Sequence, residues 1–367
     1  MTHRERLLTA LDLGVPDCVP ATWELVGRCA YALTGDGGWR GQCAAHRMIG
    51  SAIFNLQGVG PYVDHEVPPG HSTEHAVLGT EGGWRVEETR IVTPSGTLTE
   101  RRKSGGIPGD PLLGKTVAPF VKARSDYGIL AERLRAVSAS ARPGDNTESA
   151  RAQDVVGDDG LVNHWCSDSL YSVANYRDSA EFIIDLVEIP DVIEELTGIV
   201  HQEKVACLEA FNASAADVLV WDICWASTSL LNPELARRFV VPEARWVVEN
   251  LAPGKRIVFF TSGRIRDVLP DLAPLKPHGI QHLDVHGDCD LAEVKRTFGG
   301  QFCLMGNYSV VPLAHGSVED ARREARRCIE AAAKGGGFIL TSSDEIPADA
   351  KLENMRAAVE ECLCAVP

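Results

Sequence analysis

The residues best suited to do chemistry in this chain stand at the ends of short apolar runs. Asp222 closes the run Asp217-Val218-Leu219-Val220-Trp221-Asp222. An acid just past a buried run must be hydrogen-bonded, paired or ligating, so Asp222 is the first candidate. Asp284 and His286 follow the run Gly279-Ile280-Gln281-His282-Leu283. They suit a general acid with its orienting carboxylate, or two metal ligands, or a plain loop. Glu24 follows Cys18-Val19-Pro20-Ala21-Thr22-Trp23, as a solvated carboxylate or a site residue. His164 and Cys166 are two apart in Leu161-Val162-Asn163-His164-Trp165-Cys166. On a strand that spacing puts both on one face, which serves packing or metal ligation. With Asp222 and His164, the pair Asp284 and His286 could complete a nitrogen and oxygen site acceptable to zinc. The metal candidates are therefore His164, Cys166, Asp222 and His286. Further polar clusters close later runs: Gly306-Asn307-Tyr308, and Thr341-Ser342-Ser343 with Asp344 and Glu345.

Such residues need a scaffold that gathers strand ends. Apolar runs near residues 19, 52, 162, 218, 257, 280, 302 and 338 alternate with helical patterns. Eight such repeats predict an α/β fold, a (β/α)8 TIM barrel, with polar residues past each strand on its catalytic face. The whole chain, residues 1–367, is expected to form this single domain. Residues 2–13, 125–137, 190–212, 317–334 and 352–364 read as helices. Asn232 followed by Pro233 marks an N-cap and first helical position, and the helix should break or restart at Pro242. A helix is also expected at 265–275. Residues 82–103 alternate around Thr93-Pro94-Ser95-Gly96 and predict a β-hairpin inserted into the barrel, a rim against which a partner could dock. Residues 65–75 carry His65, His71 and His75 among prolines and glycines, a polar loop or part of a pocket.

Composition narrows the partners. The chain is 44% hydrophobic and 24% charged, with a formal net charge of −15. That balance is ordinary for a globular protein and repels polyanions, so nucleic acid is not an expected partner. No apolar run is long enough to span a bilayer. Residues 2–13 read as a charged helix rather than a signal-peptide core, and a cytoplasmic protein is expected. The eleven cysteines are scattered. Only Cys362 and Cys364 are close, and Cys-x-Cys is not a common zinc or redox spacing. They read as reduced, mostly packed thiols.

An ordered set of motifs resembles the uroporphyrinogen decarboxylase superfamily. It comprises Arg4-Glu5-Arg6-Leu7-Leu8-Thr9-Ala10-Leu11 with Pro16-Asp17-Cys18-Val19-Pro20; Asp222 with Leu231-Asn232-Pro233-Glu234 and Pro242; Gly263; Gly306-Asn307; and Gly335-Gly336-Gly337-Phe338-Ile339-Leu340 with Glu353-Asn354. The resemblance spans nearly the whole chain and implies a (β/α)8 barrel with its pocket at the strand C-termini. Departures choose among branches. The Arg-rich signature of the porphyrinogen decarboxylases is reduced to Arg28 and Tyr31, and a tetrapyrrole with many carboxylates needs basic clamps. The His-x-Cys-Gly zinc motif of the thiol methyltransferases corresponds to Phe260-Thr261-Ser262-Gly263, and the later Cys to about Asp344. Both ligands of the motif are gone.

Closest in appearance is the corrinoid-dependent O-demethylase branch, through Thr93-Pro94-Ser95-Gly96-Thr97-Leu98-Thr99, Asp290-Leu291-Ala292-Glu293-Val294-Lys295 and Leu340-Thr341-Ser342-Ser343. That resemblance implies a methyltransferase taking a methyl group from a small methoxylated, expectedly aromatic, donor. The acceptor would be cobalt of a corrinoid (cobalamin) carried by a partner corrinoid protein, with zinc a further cofactor candidate. The difficulty of such a reaction is the poor leaving group, which needs a proton or a Lewis acid. Asp222, His286, Asp284 and Glu24 are the catalytic candidates. Arg264 could bind a carboxylate or phenolate. Trp165, Trp221, Trp225 and Tyr308 would wall an aryl ring, with Asn307, Asp344 and Glu345 beside it. Two other readings stand: a cofactor-free decarboxylase of a small acid, and a non-catalytic barrel that binds a corrinoid protein. Oligomeric state is not legible.

Overall fold

The computed structural model describes residues 1–107, 110 and 112–367. The chain divides into two compact units. One contains Met1–Gly60, Asn146–Cys166 and Phe211–Pro367; the other contains Pro61–Asp145 and Ser167–Ala210.

The first unit is built on a six-stranded parallel sheet. Its order is Phe338–Ile339, Cys303–Met305, Gly279–Gln281, Arg256–Phe260, Val218–Asp222 and Asn163–Ser167. All six match runs read from sequence. The runs near 19 and 52 are reduced to single parallel bridges, Ala21 with Leu340 and Ile53 with Gly160. Pro20 has no N–H to give a ladder, and Asn55 turns the chain out of extended conformation at φ 59°. Hydrogen bonds still link these segments in series: Ala52 N–H donates to Ala21 O at 2.8 Å and Leu161 N–H to Ile53 O at 2.9 Å.

Apolar side chains from the strands fill the middle of the sheet. Val218, Val220, Val258, Cys303, Met305 and Ile339 pack with Ala52 and Phe54, and Leu7 and Leu11 of helix His3–Leu11 close one end. That helix starts with a reciprocal cap between Thr2 and Glu5, the arrangement that satisfies two orphan amides at once. Arg4 then reaches Asp217, Nη1 to Oδ2 at 2.8 Å, while Asp217 also accepts the Val162 N–H at 3.1 Å. Arg256 and Asp12 make a second such clamp at 2.8 Å. The N-terminal ends of the strands are thus tied by charge, and the C-terminal ends are left for chemistry.

Helix ends follow the sequence where capping residues are present. Asn232 accepts the Leu235 N–H at 2.9 Å ahead of helix Pro233–Phe239, and a second helix, Val241–Glu249, restarts beside Pro242. The helix expected at 265–275 shrinks to Leu269–Leu272 and one tight turn, Ala273–Leu275. Pro270 and Pro274 interrupt it, and Asp288 takes the amides of Ile265 and Arg266 at 2.9 and 3.1 Å.

The second unit carries a four-stranded antiparallel sheet: Ser72–Glu81, Trp84–Thr93, Gly96–Ser104 and Gly114–Ala118, in that order. The hairpin expected at 82–103 is its central pair, with Thr93 opposite Gly96 across the Pro94-Ser95 turn. Strand Ser72–Glu81 falls partly in the stretch read as a polar loop. Nine of its ten residues are exposed, so no hydrophobic alternation advertises it. Among the described residues, no helix is long and apolar enough to cross a membrane.

The Gly335-Gly336-Gly337 turn gives a test of this packing. Gly336 has φ 76°, and a Cβ there would fall 2.0 Å from Gly14 O; Gly335 has φ 83° but open space around it. Gly336→Ala should therefore destabilise by more than about 2 kcal/mol and Gly335→Ala by about 1 kcal/mol, read from urea melts. Equal losses would mean that the Gly14 contact does not hold the turn.

Candidate active site

Three titratable side chains converge at the C-terminal ends of the strands. Glu24 follows the Ala21 bridge, Asp222 ends strand Val218–Asp222, and His282 is the first residue past Gly279–Gln281. Glu24 Oε2 and His282 Nε2 form an ion pair, both side chains nearly inaccessible at 3% and 1% exposure. The contact is a charge pair rather than a well-directed hydrogen bond, since that oxygen has no directional partner. The other ring nitrogen, Nδ1, meets Ser342 O. A carbonyl can only accept, so Nδ1 carries a proton. Burial pulls the His282 pKa down, but the negative charge of Glu24 and the Ser342 carbonyl outweigh it and hold the imidazole above its ordinary value. Asp344 adds to the same effect from outside.

Asp222 is 5% exposed, and burial raises its carboxyl to about 6. The Cys224 N–H, donating to Oδ1 at 2.9 Å, works against that rise; the charge of Glu24 adds to it and His282 offsets it. This carboxyl therefore titrates close to neutrality, as a general acid should.

Around these groups lie buried polar atoms that no protein group satisfies: Thr22 Oγ1, Trp23 Nε1, Trp221 Nε1, Gln281 Oε1, Thr341 Oγ1 and Ser343 Oγ. Native interiors leave few such groups without a reason. All six belong to residues on or next to the last residues of strands; the Trp23 and Trp221 indoles lie against Tyr308 and Trp246, behind the cluster, and the other four are hydroxyl and amide oxygens of the strand ends. Rings complete the setting. Trp165 lies 4.5 Å from Phe260 edge to face, and Phe260 lies 4.7 Å from the His282 ring.

Of the residues singled out from sequence, the structure brings Glu24 and Asp222 together and places Trp165 in the ring row. Others are put to different use. Asp284 accepts the backbone N–H of His286 at 2.8 Å, not its ring, and the exposed His286 ring meets Ser309 Oγ at 3.2 Å. The expected acid and orienting carboxylate are thus not formed by this pair. Arg264 is 64% exposed and faces Asp288 at 3.8 Å. Asn307 is held by Arg327 at 3.0 Å as scaffold. Tyr308 gives its hydroxyl to Ala321 O at 3.1 Å and sets its ring against Trp23 at 5.1 Å, backing the site from behind. Trp221 is fully buried beside Trp246 at 6.5 Å, and Trp225 is buried in the turn Cys224–Ala226. Asp344 and Glu345 are exposed; Asp344 accepts the Glu345 N–H at 2.7 Å, and Glu345 pairs with Arg28 at 2.7 Å.

The metal set His164, Cys166, Asp222 and His286 is not assembled. His164 Nε2 meets Ser149 Oγ at 3.0 Å and its ring packs on Phe211 at 5.6 Å. Burial, with the charge of Lys255 adding, lowers its pKa to about 4. Among the described residues no three His, Cys, Asp or Glu side chains stand close enough to hold a metal ion.

His282 is the residue that sequence reading passed over. The apolar run extends in the sequence through Leu283, two residues past the end of the strand. Strand pairing stops at Gln281, and Leu283 turns out at φ 51°. A Gln-His pair inside a short apolar run was the signal available.

The family model described as Uroporphyrinogen decarboxylase (URO-D) matches residues 170–363, more than half of the chain. No curated protein matches the sequence. A methyltransferase from Methanosarcina mazei has a similar fold, with a TM-score of 0.63 over 98% of both chains at 16% identity. An enolase from Agrobacterium radiobacter aligns over 78% of this chain and 71% of its own at 11% identity, but its TM-score of 0.28 is too low to bear on the fold.

The raised Asp222 carboxyl makes a stability prediction with a definite sign. Its pKa is about 6 in the fold against an ordinary aspartate value of 3.8. The native state therefore binds the proton more tightly, and ionisation costs stability as pH rises from about 4 to 6. Above that window the full cost, about 3 kcal/mol by linkage, is present. Asp222→Asn should leave denaturant stability unchanged near pH 3.5 and raise it by roughly 1–3 kcal/mol at pH 7.5. A variant less stable than the parent at pH 7.5 would refute the shift.

Proposed function

This chain belongs to the uroporphyrinogen decarboxylase family, and from that premise we propose that it is a methyltransferase of the O-demethylase type. The donor is a small methoxylated, aromatic compound, and the acceptor is the cobalt of a corrinoid on a partner protein. We read the unit with the six-stranded sheet as a (β/α)8 barrel whose first two strands are each reduced to one bridge. The parallel bridges Ala21–Leu340 and Ile53–Gly160 support that reading. Its setting is the cytoplasm.

The single observation that carries the activity is the buried, near-neutral Asp222 carboxyl beside the Glu24–His282 pair. As the O–CH3 bond breaks, its electron pair stays on oxygen and Asp222 supplies the proton that makes the leaving group an alcohol or phenol. The methyl carbon is taken by cobalt(I), which brings the electron pair of the new bond. His282 keeps a positive charge near the developing negative oxygen; the Ser342 carbonyl on Nδ1 fixes the orientation of its ring, and the Glu24 charge keeps it protonated. Trp165 and Phe260 give an aryl body its apolar wall.

Zinc has no part in this scheme. Phe260 and Ser262 stand where the thiol-methylating relatives have His and Cys, and no other three donors converge among the described residues. Decarboxylation of a tetrapyrrole fits less well, because Arg28, left from the basic signature, is engaged with Glu345. A cofactor-free decarboxylase of a smaller acid would use the same proton donor and differs in releasing carbon dioxide.

The test is methylcobalamin formation from chemically reduced cob(I)alamin and a panel of methoxyarenes. Asp222→Asn should lower kcat/KM by about 10²–10⁴ and Glu24→Gln by about tenfold. Since the protonated carboxyl is required, kcat/KM should be level below pH 6 and fall about tenfold per unit above it, as Asp222 ionises. Carbon dioxide release without cobalamin, or transfer indifferent to Asp222→Asn, would overturn the proposal.

A further inference from the structure

We propose that the unit formed by Pro61–Asp145 and Ser167–Ala210 has its own binding site, for a small monocarboxylate with an apolar body. The unit holds a cavity of about 330 Å3, at the lower end of the size of small-molecule sites. One side of its wall is apolar, with Ile91, Phe120, Leu134, Val137 and Val200, all buried, lining it; Thr73, Thr89, Ser172 and Glu203 add polar groups. The ring of Phe120 lies 5.6 Å from that of Tyr176, tilted by 48°, so two aromatic surfaces are offered to a flat or aliphatic body.

One cation is set into this wall. Arg133 is only 9% exposed. Its Nη2 donates to Thr73 Oγ1 at 3.1 Å, and its Nη1 is buried with no partner. Glu203, on the same cavity, does not neutralise it; its Oε1 takes the Ser138 hydroxyl at 3.0 Å. A guanidinium donor buried without an acceptor is unfavourable. A ligand oxygen carrying negative charge relieves that cost, and the planar fork of arginine fits a carboxylate best. The rest of the lining sets the ligand's charge and shape. A phosphate dianion would bring a second negative charge beside the Glu203 carboxylate, and Lys204, the other buried cation nearby, gives its ammonium to the Ser172 hydroxyl at 2.8 Å rather than lining the cavity. A monocarboxylate needs one cation and buries its hydrocarbon against the wall. His65 stands on the same lining, so the histidine-rich stretch read from sequence as loop or pocket contributes to a pocket.

Isothermal titration of the full chain with benzoate, phenylacetate and hexanoate, and with neutral phenylacetamide, tests the site. At least one carboxylate should bind one to one, and phenylacetate about tenfold or more tighter than its amide. Arg133→Gln should abolish carboxylate binding. Val200→Phe, which fills the cavity and keeps the guanidinium, should abolish it too. Asp222→Asn should bind as the parent does, which separates this site from the strand-end cluster and from the methyl-transfer proposal. Circular dichroism reports folding; if Arg133→Gln does not fold, the acid and amide comparison and Val200→Phe decide. Binding of none of the carboxylates, equal binding of acid and amide, or binding that survives in folded Arg133→Gln or Val200→Phe would overturn the inference.

Discussion

The ion pair between Glu24 and His282 sets the terms for everything at the strand ends. Both side chains are almost wholly buried, and removing two charges from water is expensive unless each finds good company. His282 finds it in the Ser342 carbonyl on one side and Glu24 on the other. The main chain of Glu24 is held in turn, its carbonyl accepting the Ile346 N–H at 3.0 Å. Three segments distant in sequence are thereby locked at one place. Asp222 then lies in a setting where burial and a neighbouring carboxylate both favour its proton. A buried pair of this kind is weak evidence for stability; its use here is to fix a charge pattern that a solvated site could not keep.

The rest of the first unit divides its labour along the strands. At the N-terminal ends, Arg4 with Asp217 and Arg256 with Asp12 are fully matched pairs. At the C-terminal ends, hydroxyl, indole and amide groups are buried without partners. Stability resides at one end and unsatisfied polarity at the other, as expected where a fold carries its chemistry on one face. The same asymmetry explains why Asp222 is a stability liability above pH 6 while being the best-placed acid.

Much of this was legible in the sequence because burial and chemistry leave different marks. The six strands of the parallel sheet appear as apolar runs, since both faces of a parallel strand are covered. Asn232 with Pro233 announces its helix through capping chemistry that is local by nature. Asp222 was visible because an acid ending an apolar run has few explanations. What was hidden depends on contacts made far along the chain. His282 becomes a site residue only when Glu24, 258 positions earlier, arrives beside it. Strand Ser72–Glu81 is exposed along its length and has no patterned face to read. Asp284 and His286 carried the right chemistry in the right region, but a local turn uses the carboxylate on backbone instead.

The central claim is that Asp222 holds its proton near neutrality because of where it is buried. Carbon-13 NMR of the chain labelled at aspartate carboxyls, with Asp222→Asn giving the assignment, measures it directly. The account predicts a titration midpoint for Asp222 near 6. A midpoint near 4, the value of an unperturbed aspartate, would contradict it and leave the site without its acid.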